Sequence, residues 1–204
     1  MHSEFGRSVA KDRNQWIDVW RRFRLGDRFA FSEIYEEFAD ILFAYGVKIT
    51  NDRELVKDCI QDLFFNIYRY NIKLQQPEYL EFYLFRSLKN DLIRKVKSKK
   101  QQSSLSDENV VLFDLKFLAE HDNPEPESEE LRIEALQKIL QTISPQKREM
   151  LFLKFSTGLN YAEIGEIVGM KADAVKKQVY RTLDDLRDRF GNKLLSLLSV
   201  FVKG

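Results

Sequence analysis

Apolar side chains recur at three- and four-residue steps through most of the first hundred positions, the spacing that gives a helix one buried face. Trp16, Val19, Trp20 and Phe23 set the pattern. After a break at Gly26 it resumes in Phe31, Ile34, Tyr35, Phe38, Ile41, Leu42 and Tyr45. Asn51 or Asp52 can cap a third helix, whose apolar face is Leu55, Val56, Cys59, Ile60, Leu63, Phe64 and Ile67. The polar stretch from Tyr70 to Glu78, with Pro77 inside it, reads as a loop. A fourth helix is expected from about Tyr79 to Lys97. Four helices with short connections predict a bundle.

The pattern then fails. Gln, Ser, Asp and Glu dominate from about residue 98, and Pro124 and Pro126 lie in an acidic run. Such a stretch buries too little apolar surface to offset its ordering entropy. An apolar patch interrupts it, from Val110 to Leu118. It can serve as a docking segment for a partner or as a short helix against either flank. Helical spacing resumes from Glu129 with Leu131, Ala135, Leu136, Ile139 and Leu140. Ser144-Pro145 marks a new helix start, and Gly158 can stop that helix. The expected architecture is all-α. It comprises an N-terminal helical bundle over residues 1–97, an acidic flexible linker over 98–128, and a C-terminal helix-turn-helix domain over 129–204 that ends in an apolar tail.

Charge sharpens this division. The net charge is only +1, but residues 1–100 hold 19 basic and 15 acidic side chains, residues 101–130 hold 1 and 9, and residues 131–204 hold 13 and 8. Two mildly basic blocks flank an acidic connector. The single cysteine, Cys59, excludes an internal disulfide framework. Neither a signal-peptide pattern nor a stretch long enough to span a bilayer is visible, so a cytoplasmic protein without membrane insertion is expected.

The most specific local pattern runs from Asn160 to Leu186. Asn160 and Glu163 have capping-box spacing. Ala162, Ile164, Ile167 and Val168 form one inner face, and Gly169 sits where a tight turn needs positive φ. Val175, Val179, Leu183 and Leu186 then give a second amphipathic helix, while Gly165 lets the two helices approach closely. This is the helix-turn-helix layout, whose second helix enters the major groove. Lys171, Lys176, Lys177, Gln178, Tyr180 and Arg181 are available on its front half to pair with bases or phosphates. A plain helical hairpin with a solvated basic face would show the same residues.

A second basic cluster lies earlier. Between Arg86 and Lys100 seven basic residues face one acidic residue, Asp91. Leu84, Leu88, Leu92 and Val96 can face a core, leaving Arg86, Lys89, Arg94, Lys95, Lys97 and Lys99 toward solvent. Tyr79, Phe82, Tyr83 and Phe85 precede them. Cations beside aromatics suit single-stranded DNA, although Phe82 and Phe85 also read as ordinary core.

In their order and spacing these segments resemble the extracytoplasmic-function (group IV) sigma factors of the sigma-70 family. The similarity is carried by "FSEIYEEFADILFAYGVKIT", "ELVKDCIQDLFFNIY", "YLFRSLKNDLIRKVKSKK" and "LQTISPQKREMLFLKFSTGLNYAEIGEIVGMKADAVKKQVYRTLDDLR". The resemblance implies a factor that binds core RNA polymerase through its clamp helices and flap, and that reads −10 and −35 promoter elements. On that basis Asp58, Gln61, Asp62 and Phe65 match the polymerase-docking surface. Tyr83, Arg86, Asn90, Arg94, Lys95 and Lys97 match the −10-reading helix, and the loop at about Tyr70–Glu78 matches the segment that captures a flipped base. Lys171, Lys176, Lys177, Gln178, Tyr180 and Arg181 fall to −35 reading. The family often carries Trp at Tyr83 and commonly Asp at Arg94. Gly165 stands where Ala is usual, a small-for-small change expected to preserve packing. An anti-sigma factor is a usual further partner in this family.

No enzyme is expected. His2 and His121 fall in a terminus and the linker, one cysteine supplies no zinc set, and no Gly-rich phosphate loop is present. No catalytic residue, cofactor or metal is therefore assigned. The rival reading is a stand-alone helix-turn-helix regulator with an N-terminal helical dimerisation or sensor domain.

Overall fold

The structure, a computed structural model, describes residues 13–70, 80–102 and 137–191. Within them the chain is helical, with no strand. The first four helices are α1 (Arg13–Arg24), α2 (Arg28–Ile49), α3 (Arg53–Tyr70) and α4 (Leu80–Gln102). After a helical stretch at 137–141 come α5 (Pro145–Phe155), α6 (Tyr161–Val168) and α7 (Ala172–Phe190).

Each boundary has a local cause. Gly26 takes φ +95° and turns the chain after α1. Asp27 then caps α2, accepting from the amides of Phe29 and Ala30 at 2.9 and 3.3 Å. Arg22 holds the same corner, reaching Asp27 at 3.1 Å and Glu33 at 2.8 Å. Asp52 accepts from the Leu55 amide at 3.0 Å at the start of α3. Pro145 opens α5 at its first turn, where a missing amide hydrogen costs nothing.

The seven apolar positions expected on α3 are the seven apolar residues it buries: Leu55, Val56, Cys59, Ile60, Leu63, Phe64 and Ile67. They meet Trp16, Trp20 and Phe23 of α1, Ile34, Phe38 and Leu42 of α2, and Leu84, Leu88 and Leu92 of α4 in one core. Gly46 permits the closest approach, since a Cβ there would sit 2.5 Å from Val56 Cγ1. Two expectations shift. Tyr35 is exposed, with its ring 4.9 Å from that of Phe64. Helix α4 runs to Gln102 rather than ending near Lys97, with Lys99 reaching Asp52 at 2.9 Å.

The C-terminal helices do not stand apart from the bundle. Helix α6 packs on α4, and α5 turns Glu149 and Phe152 toward α2. The Phe152 ring stacks on Tyr45 at 5.8 Å, and Tyr45 meets Phe85 edge-on at 5.2 Å. The Glu149 carboxylate accepts from the Tyr45 hydroxyl at 2.6 Å and from Lys89 Nζ at 2.7 Å. Lys48 Nζ lies 5.6 Å from the Phe152 ring centre. Lys89, expected to face solvent, is thus covered, because a carboxylate from a sequence-distant helix reaches it.

Candidate nucleic-acid interface

Helices α6 and α7 form a helix-turn-helix. Asn160 Oδ1 accepts from the amides of Ala162 and Glu163 at 2.9 and 3.0 Å, and the Glu163 carboxylate accepts from the Asn160 amide at 2.7 Å. This is the expected capping box. Gly169 takes φ +72° in the turn. Gly165 has a tighter constraint than the sequence suggested. Its carbonyl accepts from the Met170 amide at 2.8 Å, and a Cβ at Gly165 would lie 2.4 Å from the Met170 carbonyl oxygen. Alanine is therefore not an equivalent residue here, because the obstacle is backbone.

Helix α7 buries Val175, Val179, Thr182 and Leu186. Thr182 takes the fully covered place that the spacing assigned to Leu183, which is half-buried. The Thr182 hydroxyl is satisfied by donating to the Gln178 carbonyl at 2.7 Å. Lys176, Lys177, Tyr180 and Arg181 are exposed together, at the three- and four-residue steps of one stripe. Gln178 flanks it half-buried, and Lys171 is exposed at the N-cap without a side-chain cap bond. Asp173 lies in the first turn, and the exposed Asp184, Asp185 and Asp188 follow on the rear half. Two neighbours went unread in the sequence. Tyr161 places its ring 6.5 Å from that of Tyr180, and Lys154 Nζ lies 5.0 Å from the Tyr161 ring centre. Burial and the bond to Tyr180 raise the Tyr161 hydroxyl above its ordinary value. No spacing rule reports a contact fixed by the crossing of two helices.

On α4, Tyr83, Arg86, Asn90, Arg94 and Lys97 follow one another at three- and four-residue steps and share a side. Tyr83, Asn90 and Arg94 line a cavity of about 430 Å³ against α3, with Asn66 and Ser87. Arg94 pairs with Asp91 and Arg86 with Glu166, the latter at 2.7 Å. Lys95 sits off the stripe. It bridges Asp62 at 2.7 Å and Asp91 at 3.2 Å, and the Asp62 bond leads the interactions that raise its ammonium above the ordinary lysine value. Burial would raise the Asp91 carboxyl, but bonds from Arg94, Cys59 and Lys95 outweigh it and hold it low. Burial, with the bond to Asp91, pushes the Cys59 thiol up to about 12.

On α3, Asp58, Gln61, Asp62 and Phe65 are all exposed, and their spacing puts them on one face. Phe65 is 57% exposed, unusual for so large an apolar ring. Arg69 lies 5.9 Å from its ring centre and 5.5 Å from that of Tyr70. Of the loop assigned to base capture only Tyr70 is described. The rest of that loop, most of the acidic linker with its apolar patch, and the apolar tail beyond Gly191 lie outside the described residues.

Residues 133–186 match the family model "Sigma-70, region 4", which contains the whole of α5 and α6 and most of α7. The chain is 27% identical over 163 residues to the ECF RNA polymerase sigma factor SigE of Mycolicibacterium smegmatis, covering 78% of this chain and 61% of that protein. It thus spans less than two-thirds of the mycobacterial relative. It is 28% identical over 174 residues to the RNA polymerase sigma factor SigZ of Bacillus subtilis, covering 78% and 93% respectively. Among solved structures, the fold is similar to CnrH in complex with the cytosolic domain of CnrY, with a TM-score of 0.51, 15% identity and 84% and 94% of the two chains covered. It is also similar to the sigma factor RpoE in complex with the anti-sigma factor NepR from Bartonella quintana, with a TM-score of 0.51, 18% identity and coverage of 78% and 94%.

Proposed function

We propose that this chain, a homologue of the extracytoplasmic-function sigma factors carrying a sigma-70 region 4 domain, binds core RNA polymerase and directs promoter-specific initiation by reading −10 and −35 elements. The observation that carries the reading is the stripe Lys176, Lys177, Tyr180 and Arg181, exposed on the second helix of the matched helix-turn-helix. Arginine and lysine donate to guanine edges or neutralise phosphate, and glutamine at Gln178 can pair with adenine. Helix α7 is the −35 reader, with Lys171 at its entry.

Helix α4 is the −10 reader. Its stripe of Tyr83, Arg86, Asn90, Arg94 and Lys97 offers cations for the backbone and an aromatic ring for stacking. Lys95 joins it from the flank. The cavity beneath Tyr83 and Asn90 has the polarity and size to receive an unstacked base, whose extraction costs a few kcal/mol. Asp58, Gln61, Asp62 and Phe65 form the face for the polymerase clamp helices, an exposed aromatic ring inside a polar rim. Neither block is strongly basic, so isolated affinity for duplex DNA is weak and salt-sensitive. Mounting both readers on one polymerase makes each contact intramolecular. The chain supplies recognition in the cytoplasm, and the chemistry is the polymerase's. An anti-sigma partner, such as the one bound in the Bartonella quintana RpoE structure, is consistent with this role.

Purified chain added to core RNA polymerase on genomic templates is expected to form a stoichiometric complex and start transcription at discrete sites. Failure to bind the core enzyme, together with tight dimeric binding to duplex DNA, would establish the stand-alone regulator instead.

A further inference from the structure

The exposed stripe on α7 has a backing that its own helix does not supply. Tyr180, within the stripe, is 52% exposed, and a side chain so exposed on a helix ordinarily exchanges between rotamers. Its ring lies 6.5 Å from the ring of Tyr161, tilted by 47°. Tyr161 is the first residue of α6 and is half-buried. Lys154, in the last turn of α5, attends the same ring, with Nζ 5.0 Å from its centre.

The backbone fixes each of these supports. The Lys154 ammonium donates to the Leu159 carbonyl at 3.2 Å, which ties the end of α5 to the entry of α6. The capping box at Asn160 sets the backbone immediately before Tyr161. The crossing of α6 and α7 is set at Gly165, whose carbonyl accepts from the Met170 amide at 2.8 Å and whose lack of a Cβ lets the Met170 carbonyl approach. The separation of Tyr161 and Tyr180 is thus a property of three helices. A recognition group held in this way loses less freedom when it binds.

The other members of the stripe, Lys176, Lys177 and Arg181, are cations, which serve phosphates and guanine edges alike. Tyr180 is the neutral member. Its hydroxyl offers one proton to one acceptor, a contact that depends on direction more than on charge. Burial, then the bond to Tyr180, hold the Tyr161 hydroxyl above its ordinary value, so Tyr161 stays protonated and donates to the Tyr180 oxygen. The Tyr180 proton is thereby turned away from Tyr161.

We infer that Tyr161, with Lys154 at its ring, is a positioning residue that fixes Tyr180 as a hydrogen-bond donor to one acceptor atom on a base edge in the major groove. This rests on the reading of α7 as the DNA-reading helix. The acceptor is a purine N7 or a base carbonyl oxygen, the two acceptor types that the major groove displays. Tyr161 acts through Tyr180 and makes no base contact of its own.

The test uses the full chain and a pool of duplexes with a randomised stretch of about 12 base pairs, at about 50 mM salt, where weak complexes are retained. Sequencing the bound duplexes gives the base preference at each position for wild type, Tyr180→Phe, Tyr161→Phe and the double variant. Tyr161→Phe removes one hydroxyl and keeps the ring. Should it fail to fold by circular dichroism, Lys154→Met loosens the same ring from α5 and takes its place. Tyr180→Phe is expected to lower the preference at one base pair by roughly three- to tenfold. Tyr161→Phe should lower it at the same base pair by about two- to fivefold, and the double variant should match Tyr180→Phe alone. A loss in Tyr161→Phe spread evenly over all sequences would mark a structural part and overturn the inference. A loss at a different base pair, or a double variant that loses the product of the two singles, would overturn it too. Unchanged preference in Tyr161→Phe beside a loss in Tyr180→Phe would overturn the positioning role and leave the α7 reading standing. No preference at any position in the wild type would overturn both. The expected pattern from a chain that does not bind core polymerase would support the role of Tyr161 and sink the proposed function.

Discussion

Lys95 donates to Asp62 at 2.7 Å, joining the helix proposed to lie on the −10 element to the face proposed to dock on the polymerase. Asp91 receives the same ammonium at 3.2 Å, so α3 and α4 are cross-linked by charge directly beside the cavity. The Lys95–Asp62 pair is a direct side-chain link between the proposed docking face and the proposed −10 helix.

Removing this link should show coupling. Lys95→Met and Asp62→Asn are each expected to lower stability by no more than about 1 kcal/mol, since both groups retain solvent contact. A double-mutant cycle on thermal unfolding should return an interaction of about 0.5 kcal/mol or more at low salt, shrinking as salt rises. Strict additivity at low salt would show that the pair does no coupling.

Gly165→Ala is expected to destabilise the helix-turn-helix. The helix-propensity gain of up to about 1 kcal/mol is outweighed by the displaced Met170 carbonyl, at an overpacking cost of about 1–3 kcal/mol. The melting temperature should fall by a few degrees, and −35-dependent transcription should fall with it. A melting temperature equal to or above wild type would show that the turn has slack.

Lys176→Ala and Arg181→Ala should weaken promoter use while core-enzyme binding is retained, because both side chains stand on the exposed stripe away from α3. If each neutralises one phosphate, the slope of log affinity against log salt drops by about 1 per substitution. Loss of core-enzyme binding in either variant would relocate the polymerase contact to α7.

Cys59 is the chain's only cysteine, so thiol chemistry reports on one site. Its folded value of about 12 lies above the free-thiol value near 8.5. The associated stability is complete below about pH 8.5 and is lost as pH rises toward 12. An aromatic disulfide reagent at pH 8 should react slowly with the native chain and rapidly in denaturant. Fast native reaction would place the thiol outside the α3–α4 core.

Local pattern revealed much of this molecule, because its helices bury faces at regular spacing. The α3 core positions, the capping box at Asn160 and the turn at Gly169 all depend on residues within a few positions of one another. The pairing of Tyr45 with Glu149 spans 104 positions, and no periodicity carries such information. Lys89 read as solvent-facing for the same reason. The end of α4 was obscured differently: its last turns are rich in Lys and Gln without a wide apolar stripe, which looks like a linker. Those residues are good helix formers, and Lys99 ties the region to Asp52. The three candidate surfaces were readable as stripes, whereas their ion pairs to one another were not.

The ion pair between Arg86 and Glu166 has a genetic corollary. A change of promoter output mapped to Glu166, which belongs to no proposed reading stripe, would act through Arg86 on α4. Mapped on sequence alone, a gain at Glu166 would pass for altered operator preference in the helix-turn-helix. A second change at Arg86 that adds nothing to the first would show that the two act through one contact.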